Sequence, residues 1–138
     1  MFFWLDPRNF HVTIKGVCFD RDGAVLMLRE PSGVLDLPGG RLEHGEDFHT
    51  ALRRECREEM SLDCEILDAE PYWSWSVRDR DGIWKVVLCF RIRLDSLAFT
   101  PSNECAGLAF FDADALAGAL VVPQMRPLIE RLRQRLRG

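Results

Sequence analysis

The chain has 138 residues, 47% of them hydrophobic and 29% charged, with a formal net charge of −4. That length holds one domain, residues 1–138, with a sizeable core, and leaves little for a second. The acidic balance excludes a protein that grips nucleic acid through a basic face, and no apolar run is long enough for a membrane-spanning helix.

In chain order, Met1 to Leu5 is apolar but short, and it lacks the basic start of a signal peptide. Phe2, Phe3 and Trp4 are suited to covering a hydrophobic patch or forming a homodimer contact. Residues 10–19 mix β-branched and aromatic side chains and read as a strand. Arg21-Asp22-Gly23 makes a turn into a second strand at 24–28, which predicts a hairpin. Pro31 to Gly33 breaks the pattern before Leu35 and Leu37. A helix is predicted from an N-cap at Asp47 to about Met60, with Phe48, Leu52, Cys56 and Met60 as its apolar seam and Ala51 beside them.

Residues 62–67 and 72–77 read as strands, and the turn at 78–82 leads to a long strand at 83–94, buried around Val86-Val87-Leu88. Residues 108–111 make a short last strand. Asp112 or Asp114 caps a helix at 115–120, and 123–137 forms an amphipathic helix with Leu128, Ile129, Leu132 and Leu136 on one face. No repeat or clean βαβ alternation is present. The pattern predicts an α/β chain of mixed α+β character, a mixed sheet flanked by helices. The five cysteines (Cys18, Cys56, Cys64, Cys89 and Cys105) show no CxxC spacing, and their odd number argues against a disulfide framework. Both points place the chain in a reducing, cytoplasmic setting.

The chemistry concentrates in residues 40–62, GRLEHGEDFHTALRRECREEMSL. Glu55, Glu58 and Glu59 stand at i, i+3 and i+4, so a helix brings their carboxylates to one face. Such a cluster repels itself and calls for a cation. Its hard oxygen donors select Mg²⁺, Mn²⁺ or Ca²⁺. Taken alone, three clustered glutamates are more often a solvated face.

The segment resembles the box of the Nudix hydrolases, G-x5-E-x7-R-E-U-x-E-E-x-G-U, where U is aliphatic. Gly40, Glu46, Arg54-Glu55, Glu58-Glu59 and Leu62 fill its positions, and Leu37-Pro38-Gly39-Gly40 resembles the usual lead-in. Cys56 replaces the aliphatic residue and can still pack inward. Ser61 replaces the closing glycine, where a left-handed backbone costs serine more than glycine.

The resemblance implies an α/β/α sandwich and a Mg²⁺- or Mn²⁺-dependent hydrolase. Such an enzyme cleaves a phosphoanhydride in a nucleoside triphosphate, or in a nucleoside diphosphate linked to another moiety. It also implies metal ligation by Glu55, Glu58, Glu59 and the carbonyl of Gly39. Glu55 is alternatively the general base, a role that other members give to a late loop, where Glu104 lies. Arg54 would orient a glutamate, and Glu46 would complete that network.

Outside the box, Trp73, Trp75 and Val77 alternate onto one side of their strand, where the indoles either stack a nucleobase or face the core. Trp84 follows the next turn and pairs across from that strand. His44 lies in the box loop, within reach of phosphate. Arg131, Arg133, Arg135 and Arg137 form a solvated helix face or meet an anion. The partner expected is a small nucleotide-type molecule, with no nucleic acid and no membrane. Two other classes compete: a nucleotide sensor that binds without cleaving, and a structural protein whose acidic helix holds Ca²⁺ or a basic partner.

Overall fold

The computed structural model describes residues 9–137. Phe2, Phe3 and Trp4 therefore lie outside the described residues. The elements are β1 (His11–Val17), β2 (Val25–Arg29), β3 (Leu35–Asp36), β4 (Gly39–Arg41), α1 (Phe48–Met60), β5 (Cys64–Ile66), β6 (Trp73–Arg78), β7 (Trp84–Leu94), β8 (Gly107–Phe111), α2 (Ala113–Ala117) and α3 (Arg126–Arg137). A 3₁₀ turn at Pro123–Met125 leads into α3.

One sheet runs β4-β1-β7-β5, with β6 also on β7. Within it β1 and β7 pair in parallel, from His11↔Lys85 to Val17↔Arg91. A second, antiparallel sheet has the order β3-β2-β8. The long β7 serves two neighbours on its free edge: β6 opposite Trp84 to Cys89, and β5 opposite Ile92 to Leu94.

Alternation along the strands splits the core in two. Ile14, Leu26, Leu28, Phe90 and Ile92 pack with Ala51, Leu52, Cys56 and Met60 of α1. Val17, Val25, Met27, Val87 and Cys89 pack with Leu116, Met125, Leu128, Ile129 and Leu132. Helices thus cover both faces, which makes the molecule an α/β/α sandwich with mixed sheets. No described helix is long and apolar enough to cross a membrane.

The predicted hairpin forms only at its tip. Phe19 bridges Val25, and then the strands part into different sheets. Val25, Leu26, Met27 and Leu28 are all buried, so β2 needs cover on both faces, and β3 and β8 occupy its edges. Four further boundaries shift. Phe48 leaves the helical seam and is 39% exposed at the start of α1, whereas Ala51, Leu52, Cys56 and Met60 are fully buried. The buried centre of β7 moves to Val87, Cys89 and Phe90. Asp112, rather than Asp114, caps α2, accepting from the Ala115 N–H. The last helix begins at Arg126, whose guanidinium donates to the carbonyls of Leu116, Ala117 and Ala119.

At the N-terminus of α1, Asp47 is the cap and accepts from the Thr50 N–H at 2.8 Å. At the C-terminus, Ser61 takes φ 56° and ψ 37° and donates its N–H to Arg57 O at 2.9 Å. Serine therefore occupies the left-handed conformation expected of glycine at this position. Ser61→Gly should stabilise the protein by about 1 kcal/mol. Thermal melts should show this as a rise of a few degrees, roughly 3–5 °C, and an unchanged or lower midpoint would count against it.

Candidate active site

The site is built where the β3–β4 loop passes between β1 and α1. Gly39 pairs with Lys15 of β1 and has φ +126°. A Cβ there would lie 2.1 Å from Ile14 O, and one on Gly40 would lie 2.6 Å from Glu55 Cδ. Only glycines let the backbone pass this close to both elements. The Gly39 N–H donates to Glu59 Oε1 at 2.8 Å, tying the loop to the helix.

The helix carries four residues of the site. Arg54 donates to both Glu46 oxygens (2.7 and 3.0 Å), to Glu55 Oε1 at 3.0 Å and to Glu58 Oε2 at 3.1 Å. Its Nη2 also donates to Arg41 O at 3.2 Å. Hydrogen bonds from Arg54 hold the Glu46 carboxyl below its ordinary pKa. Glu55 lies higher than usual because burial outweighs the help of Arg54.

Glu59 is only 7% exposed. Burial pushes its carboxyl up to about 8, against the pull of Lys15 and the Gly39 N–H. A buried carboxylate of this kind is costly to ionise without a cation.

The third carboxylate comes from a late loop. The Ser102 hydroxyl donates to Glu59 O at 2.9 Å and accepts from the N–H groups of Glu104 and Cys105, both at 3.1 Å. This pins the loop on the end of α1. Oxygens of Glu55, Glu59 and Glu104 then lie within 4.8 Å of one another. An all-oxygen donor set at that spacing fits Mg²⁺ or Mn²⁺. A cavity of about 340 Å³ opens there, lined by Asp36, Glu59 and Glu104 among others.

The other expected site residues fall elsewhere. The Glu58 side chain is 52% exposed and turned to Arg54, outside the three-carboxylate group. The carbonyl of Gly39 accepts from Lys15 Nζ at 3.0 Å. Trp73 and Trp75 lie against α3. The register of β6 on β7 sets them opposite Cys89 and Val87, on the face that α3 covers. Trp75 Nε1 donates to Gln124 O at 2.8 Å, and the Arg131 guanidinium stands 4.7 Å from the Trp73 ring centroid. Neither indole lines the cavities beside the carboxylates.

His44 lines a separate groove of about 760 Å³ with Arg41 and Glu46. Trp84 is paired with Arg78 at the β6–β7 turn and stacks near Phe10. Of the C-terminal arginines, Arg133 pairs with Asp114 and the exposed Arg135 reaches the Tyr72 hydroxyl. The side chains of Leu136 and Arg137 lie outside the described residues.

Lys15 and Asp36 escaped the motif reading. Lys15 is 5% exposed and donates to Asp36 Oδ2 (3.1 Å), Leu37 O (3.1 Å) and Gly39 O (3.0 Å). The available signal was a lysine flanked by Ile14 and Gly16 near the centre of a strand. Asp36 separates the acidic cavity from a second one of about 370 Å³, lined by Thr13, Lys15, Lys85 and Gln124. Thr13 Oγ1 and Gln124 Oε1 are buried there without a hydrogen-bond partner.

The NUDIX domain family matches residues 9–132. A Mus musculus protein named 8-oxo-dGDP phosphatase NUDT18 is 35% identical over 81 residues, covering 56% of this chain and 24% of that protein. A Proteus vulgaris protein named 8-oxo-dGTP diphosphatase is 32% identical over 72 residues, covering 46% of this chain and 63% of that protein. The match thus spans less than two thirds of either curated relative. In fold, the chain is similar to the MutT protein of Methanosarcina mazei Go1, with a TM-score of 0.77, 16% identity, and coverage of 96% of this chain and 99% of that one.

The raised Glu59 carboxyl sets a pH dependence. The native state holds this proton more tightly than the unfolded chain, whose value is near 4.5. In EDTA, stability should be greatest at low pH on this account and fall as pH rises from about 4.5 through about 8, by a few kcal/mol at most. Urea titrations across that range should show the fall, and Glu59→Gln should flatten it. An equal slope in that variant would refute the assignment.

Proposed function

The chain belongs to the NUDIX family, and from that premise we infer that it is a divalent-metal-dependent hydrolase of phosphoanhydride bonds in nucleotide-type substrates. The observation that carries this reading is the meeting of Glu55, Glu59 and Glu104 beside Gly39-Gly40, at the mouth of a cavity. Attack on phosphorus requires an activated water and neutralisation of charge on the phosphoryl oxygens. A bound Mg²⁺ or Mn²⁺ supplies that neutralisation and acidifies water.

The protein's own groups divide the remaining work. Glu59 is buried and oriented by the Gly39 N–H, and Glu104 is hung from Ser102, so these two are suited to hold the ion. Glu55 has one oxygen on Arg54 and a carboxyl pKa raised by burial, which brings it nearer working pH. We assign it as the general base that takes the proton of the attacking water. Arg54 acts through Glu55 and is a positioning residue, while Glu46 and Glu58 hold Arg54 in turn.

The second cavity, across Asp36, is suited to the moiety beyond the phosphates. Thr13 and Gln124 offer unpartnered oxygens there, and Lys85 offers charge. The relatives' names point to oxidised purine nucleotides as the first compounds to try. Five free, buried cysteines suit a reducing, cytoplasmic compartment.

A panel of 8-oxo-dGTP, 8-oxo-dGDP, ordinary nucleoside triphosphates and nucleoside diphosphate sugars, assayed with Mg²⁺, Mn²⁺ or EDTA, tests the reading. Turnover of at least one compound should need metal. Glu55→Gln should lower kcat by about 10²- to 10⁴-fold and abolish the acid limb of its pH profile. Glu104→Gln should keep that limb and raise the Mg²⁺ concentration required. Binding of a nucleotide with no cleavage under any metal would replace the hydrolase with the sensor.

A further inference from the structure

Lys15 and the acceptors it gathers from the loop at 36–40 remain unused by the proposed chemistry. Lys15 is buried at the centre of β1, and its ammonium has three N–H donors and three acceptors on Asp36, Leu37 and Gly39. Asp36 is fully engaged, since its other oxygen accepts from the Leu37 N–H at 2.7 Å. Gly39 is held at both ends, its N–H on Glu59 and its carbonyl on Lys15. The loop is therefore wrapped around one internal cation, a few residues' width from the carboxylate cluster.

This arrangement bears on how the site takes a metal. The family resemblance implies that the carbonyl of the glycine before the box joins the glutamates as a ligand. Here an ammonium already holds one lone pair of that oxygen, at 3.0 Å. A divalent ion on the same carbonyl would set two like charges on either side of one atom, inside a buried site where repulsion is poorly screened. The ammonium cannot easily be displaced, because its departure would leave Asp36 buried and unpaired.

We propose that Lys15 is a built-in cation that takes the Gly39 carbonyl, so that a divalent ion binds this protein through the side chains of Glu59 and Glu104, beside Glu55, without the backbone. The proposal rests on the reading of that cluster as a metal site. It makes Lys15 a positioning residue: it fixes Gly39, whose N–H orients Glu59, and it confines the ion to the carboxylate side of the loop. One consequence is that the loop is preorganised before any metal arrives, since its central cation is covalently part of the chain.

The test is a Mg²⁺ titration of the full chain, uniformly labelled with ¹³C and ¹⁵N. It follows the carboxyl carbons of Glu59 and Glu104, and the Gly39 carbonyl carbon through the Gly40 amide. The carboxyl carbons should shift with a common midpoint, and the Gly39 carbonyl should not shift with it. A Gly39 carbonyl that shifts in step with the carboxyl carbons would overturn the proposal while leaving the metal reading intact. If no carboxyl carbon moves with Mg²⁺ or broadens with Mn²⁺, the metal reading fails first, and the proposal with it.

The double variant Lys15→Met/Asp36→Leu removes the cation and its partner together. If folded, it should bind Mn²⁺ about tenfold more tightly by electron paramagnetic resonance, with the Gly39 carbonyl now responding to Mg²⁺. Unchanged affinity and a silent carbonyl in that variant would also overturn it. Should the variant fail to fold, the wild-type titration decides alone.

Discussion

The close passage of Gly39-Gly40 between β1 and α1 is the constraint on which the rest of the site depends. On one side the backbone lies against Ile14 and Lys15, and on the other it touches the Glu55 carboxyl group. A side chain at Gly39 would strike the β1 backbone, and one at Gly40 would displace the Glu55 carboxyl group. Because the passage is so tight, a backbone N–H can reach Glu59 and a backbone carbonyl can reach Lys15. A buried ammonium and a buried carboxyl group are thereby both hydrogen-bonded by one short stretch of chain. Burial that would otherwise be prohibitive becomes tolerable when such groups are paired and hydrogen-bonded.

Arg54 does for the exposed side of the helix what the glycines do for the buried side. Glutamates at 55 and 58 repel each other along one helical face, and Glu46 approaches from the preceding loop. One guanidinium with five donors reaches all three and the Arg41 carbonyl as well. Single surface pairs of this kind are worth only about 0–1 kcal/mol, but a shared planar donor fixes the geometry of the carboxylates it touches. The outcome is a division by burial. Glu58 stays with Arg54 at the surface, Glu59 turns into the acidic cavity, and Glu55 stands between them.

The two-faced sheet explains why the chemistry gathers at one place. Helix α1 covers one face and α2 with α3 the other, so the buried strand centres are closed and the cavities open at the loops. The loop after β7 is fastened to the end of α1 through Ser102, which delivers Glu104. The indoles of β6 are drawn under α3 by the same register that buries Val87 and Cys89. Residues with similar chemical promise are thus separated by the parity of their strand and by the helix that covers it.

Much of this was legible in the residues themselves. Helix α1, its Asp47 cap and its Leu52-Cys56-Met60 seam follow from spacing, as do the strands at 10–19, 72–77 and 83–94, because these signals are periodic and local. The resemblance to the Nudix box pointed to Glu46, Arg54, Glu55, Glu58 and Glu59, and the left-handed backbone at Ser61 was implied by the glycine it replaces. Strands β3 and β4, of two and three residues, carry no period to read.

What the tertiary structure alone decided was which acids meet. Glu58 and Glu59 are neighbours in the chain, yet the packing of α1 buries one and exposes the other. Glu104 joins from 45 positions beyond Glu59 only because the Ser102 hydroxyl finds the end of the helix. Lys15 gives no sign of its partners in a strand of ordinary composition. Its three acceptors are assembled by the β1–β4 register, a long-range pairing that no local interval encodes.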